Sequence, residues 1–288
     1  MSWAVIARKD FEDAVRSRAL LVLTALNVLF VGAAVYVFTE VIGLQASGGD
    51  ATNALLSSLL GPVAVFVPLI AVVVSYRAIA GERESGSVKL LLSLPHSRQD
   101  TVTGKLAGRS AVVAVATVVG FLVGAVLVLV FASAFSPVTY VAFLAATLLY
   151  AVAYVAIGLG FSAATGSTTK AAVGAFGTFV FFEFLWGLLN DLLVWAVEGS
   201  FPFGSGPDWS LFVRQLSPSD AFSKTARVAI GQQREQIRQV TLQNGEPVVQ
   251  TREIPFYLQD EVGLVVLVLW VVVPLALAYV LFGRAELS

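Results

Sequence analysis

Six stretches of this chain are almost free of charge over lengths that match a lipid bilayer: Ala19–Ile42, Leu55–Tyr76, Ala111–Ala134, Val138–Ala163, Ala171–Val197 and Gly263–Phe282. At about 1.5 Å per residue, about 20 residues in a helix cross the roughly 30 Å hydrocarbon core. Backbone groups in lipid must pair within their own segment, and these runs lack the alternating pattern of barrel strands. The expected fold class is therefore an all-α integral membrane protein with six transmembrane helices. Composition agrees: of the 288 residues 57% are hydrophobic and 13% charged, and the mean hydropathy is +0.84, outside the range of ordinary soluble domains. The first run is longer than the hydrophobic part of a signal peptide and follows an 18-residue charged start, so it reads as a retained span.

Charge placement orients the spans. Twelve basic residues, Arg8, Lys9, Arg16, Arg18, Arg77, Arg83, Lys89, Arg98, Lys105, Arg109, Lys170 and Arg284, fall on one side, and the short loops of the other side hold none. Short basic loops stay in the cytoplasm, whereas long ones translocate largely regardless of charge. The expectation is a multi-pass protein of the cell membrane with both termini cytoplasmic. The other six basic residues lie in a long outer segment, 198–262, before the last span.

Three parts lie outside the spans. Residues 1–18 place Trp3, Ile6, Ala7, Phe11, Ala14 and Val15 on one helical face, with Asp10 as an acidic exception near its edge. This start reads as an amphipathic helix in the headgroup region, its basic residues toward membrane lipid, or else as a polar leader. The cytoplasmic loop, 81–109, carries Val88, Leu91 and Leu92 on one face until Pro95 discourages the helix from continuing. Ser97 and Asp100 have the spacing of a capping box for the next helix. The leucines either present a helix–turn–helix elbow to a partner or rest on the bilayer and neighbouring helices. In the outer segment, Ser217-Pro218-Ser219-Asp220 predicts a helix start, and residues 240–251 around Asn244-Gly245 predict a small hairpin. Phe201, Phe203, Trp209, Phe212, Phe256 and Tyr257 belong either at the outer interface or in the core of a compact cap.

Several chemistries are missing. With no cysteine and one histidine, disulfides, thiol nucleophiles and multi-histidine metal centres are excluded. Gly104-Lys105 is followed by Leu106 and lacks the upstream glycine of a phosphate-cradling loop, so the chain is not expected to hydrolyse nucleotide itself. No metalloprotease pair or nucleophile elbow occurs, and His96 reads as a solvated or interface residue. No catalytic, metal or directly bound cofactor site is expected. A net charge of -1 offers no general attraction for nucleic acid. Within the spans, Glu183 stands midway along the fifth, with Asn190 and Asp191 about two turns on. An ionised acid there costs about 3 kcal/mol on insertion scales, so these three mark either a polar pathway or gate, or a protonated or hydrogen-bonded packing site. Gly120, Gly124 and Gly158 permit close helix contact.

The stretch from Gly81 to Arg98, with Glu82, Glu84, Gly86, Val88, Leu91, Leu92 and Pro95, then Gly104-Lys105-Leu106, resembles the cytoplasmic segment of type 2, exporter-like ABC transporter permeases, especially the subgroup similar to the permease of nitrous oxide reductase maturation. That family carries an acidic pair, Gly-Thr-Leu, a Leu-Leu-Ser run, Pro-x-Ser-Arg and a Gly-Lys; here Ser87-Val88 replaces Thr-Leu. The amphipathic start, the six runs, the outer segment and the ending Phe282-Gly283-Arg284-Ala285-Glu286-Leu287 extend the likeness over the chain. The resemblance implies one permease domain over 1–288. It would pair with separate ABC ATPase subunits, which use ATP, and with a second permease, the same or different. Glu82, Glu84, Gly86, Val88, Leu91, Leu92, Pro95 and Arg98 would form the ATPase-coupling element. The alternative is a non-transporting subunit that transmits ATPase motion to an outer partner; an intramembrane enzyme is the third class. With no cysteine and only Met1, no soft-ligand path for copper is apparent. Thirteen Arg against five Lys, with abundant Ala, Val and Gly, point to a GC-rich prokaryotic source.

Overall fold

The computed structural model describes residues 2–15, 18–37, 50–86, 97–131, 135–202, 206–233, 236–243 and 246–284. In chain order these form α1 (Ser2–Val15), α2 (Arg18–Tyr36), α3 (Asp50–Ser75), α4 (Ala80–Glu84), α5 (Arg98–Phe131), α6 (Pro137–Ala164) and α7 (Thr168–Val180). A π-helical turn (Phe181–Leu185) leads into α8 (Trp186–Glu198), followed by α9 (Asp208–Arg214) and α10 (Pro218–Ala229). Strands β1 (Gln236–Gln243) and β2 (Glu246–Glu253), a short 3-10 turn (Phe256–Leu258) and α11 (Val262–Arg284) complete the order.

Among the described residues, five helical segments are long and apolar enough to cross a membrane: Thr52–Glu84, Arg98–Val130, Pro137–Ala164, Thr168–Glu198 and Val262–Arg284. The first apolar run forms α2, of 19 residues, and its end at 38–42 lies outside the described residues. The membrane part is helical as expected. The departure from an all-α fold is the antiparallel pair β1–β2, in register from Gln236 opposite Glu253 to Gln243 opposite Glu246, which places the expected hairpin.

Local signals start the helices. Ser97 Oγ accepts from Asp100 N at 3.0 Å, while Asp100 Oδ2 accepts from Ser97 N at 3.2 Å, so the capping box opens α5. Ser217 Oγ likewise accepts from Asp220 N at 3.1 Å to open α10, with Pro218 at its first position. Gly199, at φ 73°, ends α8 in a left-handed conformation that suits glycine.

Helix α6 is the hub: most of its apolar stretch is buried inside the bundle, whereas the segment formed by α7, the π-turn and α8 is largely unburied. It packs against α3, α5, α10 and α11. The glycines bring helices together within the chain: a side chain at Gly120 or Gly124 would meet Asn27 or Val31 of α2, and one at Gly158 would meet Ser75 of α3.

Part of the 198–262 segment packs into the helical bundle. Helix α10 buries Ala221, Phe222, Ala226 and Ile230, and the Phe222 ring stacks on Tyr150 at 4.5 Å. Residue 150 lies thirteen positions into α6 from Pro137, or about 20 Å along the helix, so α10 reaches deep into the bundle. Trp270 Nε1 donates to Leu216 O at 2.9 Å and Trp186 Nε1 to Arg214 O at 3.1 Å, holding the α9–α10 turn among the spans. Phe201, Trp209, Phe212 and Phe256 are exposed and Tyr257 is half-buried; Phe203 lies outside the described residues.

Candidate functional site

Among the described residues, two polar clusters stand out in the apolar bundle. One lies where α1, α4 and α5 meet. Asp10 is 7% exposed and Lys105 2% exposed, burials that carry a penalty unless the charges pair. Lys105 Nζ stands 2.7 Å from Glu82 Oε1 and 3.5 Å from Asp10 Oδ1. Arg109 Nη2 donates to Asp10 Oδ1 at 2.9 Å, and its Nε lies 2.8 Å from Asp10 Oδ2. Its Nη1 donates to Val74 O near the end of α3 at 3.2 Å. The close approach of α1 rests on Gly104 and Gly108. A Cβ at Gly104 would lie 2.7 Å from Ile6 Cβ and 2.8 Å from Trp3 O, and one at Gly108 2.9 Å from Ala7 O. The acidic exception of the first helix is thus its anchor: Ile6 and Asp10 turn inward onto α5, while Trp3 is 46% exposed.

The adjoining helix α4 is clamped to the α6–α7 turn. The N–H groups of Ile79 and Ala80 both donate to Ser162 Oγ at 2.9 Å, Arg83 Nη1 donates to Ala163 O at 3.4 Å, and Glu84 Oε2 accepts from Thr168 N at 3.3 Å. The last contact places a carboxylate at the N-terminus of α7, where the helix dipole favours it. Arg98 Nη1 donates to Phe282 O at 2.7 Å and Gly283 O at 2.9 Å, a cation on the closing carbonyls of α11. The ends of α3, α5, α6 and α11 therefore share one end of the bundle. At the other end, Ser136 N donates to Thr52 Oγ1 at 3.0 Å and Arg227 pairs with Asp260 at 2.8 Å.

Of the expected coupling residues, Glu82, Glu84 and Arg98 are thus engaged within this frame. Gly86 closes α4's exit at φ 75°. Val88, Leu91, Leu92 and Pro95, with His96, lie outside the described residues.

The second cluster surrounds Glu183 in the π-turn. The hydroxyls of Tyr150 and Tyr154, one helical turn apart on α6 and both fully buried, lie 2.7 Å from Glu183 Oε1. A π-turn inserts an extra residue into a helix and is frequent at functional sites. Ser219 Oγ of α10 donates to Phe182 O at 3.3 Å, tying the α10 start to the same turn. Asn190 is 3% exposed and its Oδ1 has no hydrogen-bond partner among the described residues, and Asp191 is half-buried. Glu183 draws its partners from α6 and from Ser219 of α10 rather than from these two. The tyrosine pair was visible as an i, i+4 spacing in an apolar span, but its partner, on another helix, was not.

A family model described as "ABC-2 family transporter protein" matches residues 4–287. The chain is 32% identical over 200 residues to the probable ABC transporter permease protein NosY of Pseudomonas aeruginosa, covering 67% of this chain and 69% of that one. It is 37% identical over 119 residues to the probable ABC transporter permease protein NosY of Stutzerimonas stutzeri, covering 40% and 41%.

Proposed function

The chain belongs to the ABC-2 transporter family and is the membrane permease subunit of an ABC transporter, and on that premise we propose how it receives work from a separate ATPase. In this reading all six apolar runs span the cell membrane. Both termini and the 81–109 loop are cytoplasmic, and two permeases assemble with two ATPase subunits that hydrolyse ATP. The expected coupling residues divide into two sets. Glu82, Glu84 and Arg98 brace the frame, while Gly86, Val88, Leu91, Leu92 and Pro95 present the apolar surface that seats in the ATPase.

The observation that carries this reading is the triple clamp on α4, through Ser162, Ala163 and Thr168. A push on the loop after α4 meets a short helix bound to the α6–α7 turn and continuous with α3. Motion therefore passes into the second, fourth and fifth spans as rigid elements, provided the ATPase contacts differ between its two states. Leu91→Asp is expected to reduce co-purification of the ATPase at least about tenfold while leaving membrane insertion intact, because a charge is forced into an apolar contact. Unchanged co-purification would count against the docking role. ATP-dependent flux in vesicles then separates transport from the transmission of motion alone to an outer partner.

A further inference from the structure

Helix α3 contains Pro68, which has no N–H to offer the carbonyl four residues earlier, that of Ala64. An acceptor without a donor is costly in an apolar interior. The structure fills the gap from α6: Tyr150 Oη lies 2.9 Å from Ala64 O. The same Oη lies 2.7 Å from Glu183 Oε1. A tyrosine hydroxyl carries one proton, and a backbone carbonyl can only accept. An ionised Glu183 can also only accept, so two acceptors would compete for the single Tyr150 proton and one contact would be left without a hydrogen.

A neutral carboxylic acid removes the conflict. Its O–H donates to Tyr150 Oη, Tyr150 donates to Ala64 O, and Tyr154 donates to the carboxyl at 2.7 Å. Every short contact then has one proton. The surroundings offer no cation in place of that proton. The titratable groups facing Glu183 are Tyr150 and Tyr154 from α6 and Asp220 from α10; α10 also brings the Ser219 hydroxyl, whose proton is shared with Phe182 O, and α3 contributes a carbonyl. The nearby bases are directed elsewhere: Arg214 toward Asp220 at 3.6 Å, Arg227 to Asp260 and Lys224 to Leu258 O. Glu183 makes no ion pair among the described residues.

We propose that Glu183 is a proton-binding site within the membrane, the donor at the head of a relay from Glu183 through Tyr150 to Ala64 that fastens the π-turn of the fifth span to the proline-interrupted second span. Ionisation and this fastening exclude one another. A carboxylate draws the Tyr150 proton to itself and releases the Ala64 carbonyl, loosening α3 at the point where Pro68 has already removed a helix bond. Because α3 runs on toward α4, the relay is a two-state element between the interior and the coupling end. It requires only that these helices span the membrane, and stands apart from the ATPase-docking role of the loop.

The test uses the full chain purified into lipid nanodiscs. At neutral pH, the infrared difference between wild type and Glu183→Gln should contain the carbonyl band of a protonated carboxylic acid that shifts in D2O. In thermal unfolding, Glu183→Gln, whose amide keeps one donor and one acceptor, should unfold at nearly the wild-type rate. Glu183→Ala and Tyr150→Phe should unfold roughly tenfold faster, the scale of one lost buried hydrogen bond. Absence of the acid band, or a Glu183→Gln variant as unstable as Glu183→Ala, would overturn the proposal.

Discussion

Where α1, α4 and α5 meet, Asp10 and Glu82 are folded against Lys105 and Arg109, two acids with two bases. Midway along the helical segment Thr168–Glu198, Glu183 is surrounded by the hydroxyls of Tyr150, Tyr154 and Ser219 and has no counter-ion among the described residues. The first cluster balances its charges within itself; the second holds an acid among uncharged donors. The contrast shows two solutions to one problem, the desolvation of ionisable groups. Near the helix ends, where the basic loops lie, charges of both signs are at hand. Deep in the apolar bundle they are not, and the proposed solution there is a proton.

Breaking the first cluster should have the largest effect. Lys105→Met removes the buried ammonium that lies between Asp10 and Glu82, leaving the buried Asp10 beside Arg109, and is expected to destabilise the chain by about 3–5 kcal/mol in denaturant unfolding. Adding Glu82→Gln should restore much of that loss; a neutral Lys105→Met would show that the ion pairs do not hold this corner. Gly104→Val comes next, at about 1–3 kcal/mol, because its side chain meets Ile6 and the Trp3 carbonyl. Its specific readout is faster proteolysis within residues 2–15. Tyr154→Phe removes the hydroxyl that donates to Glu183 but spares the bond from Tyr150 to Ala64, so its expected cost is about 1 kcal/mol, read as a lower melting temperature. The smallest effect is reserved for Glu12→Ala, which breaks the exposed i, i+4 pair with Arg8 and should change stability by less than about 0.5 kcal/mol. If it matched Lys105→Met, burial would not be what distinguishes the two pairs.

Much of the fold was legible in the chain. Apolar length marked the spans, the Ser97–Asp100 and Ser217–Asp220 boxes opened α5 and α10 as expected, and Asn244-Gly245 marked the hairpin. These signals act over a few residues, so they survive without knowledge of neighbours. The depth of α10 was not legible: its helix is short, and it alternates Asp220, Lys224 and Arg227 with Phe222, Ala226 and Ile230. That pattern says one face is apolar, but a surface helix on a cap has the same pattern. Asp10 was visible as an anomaly on the first helix, though nothing local pointed to Lys105 and Arg109, nearly a hundred residues away.

The order of residues alone determined that the chain is built from apolar helices of bilayer length, and where α5 and α10 start, because hydrocarbon thickness and capping chemistry act on contiguous sequence. Only the tertiary structure decided that Asp10 anchors α1, that α10 enters the bundle, and that Tyr150 stands between Ala64 and Glu183. Helical periodicity specifies which side of a helix is polar or apolar, whereas the partner of a buried proton or charge depends on which helix comes to face it.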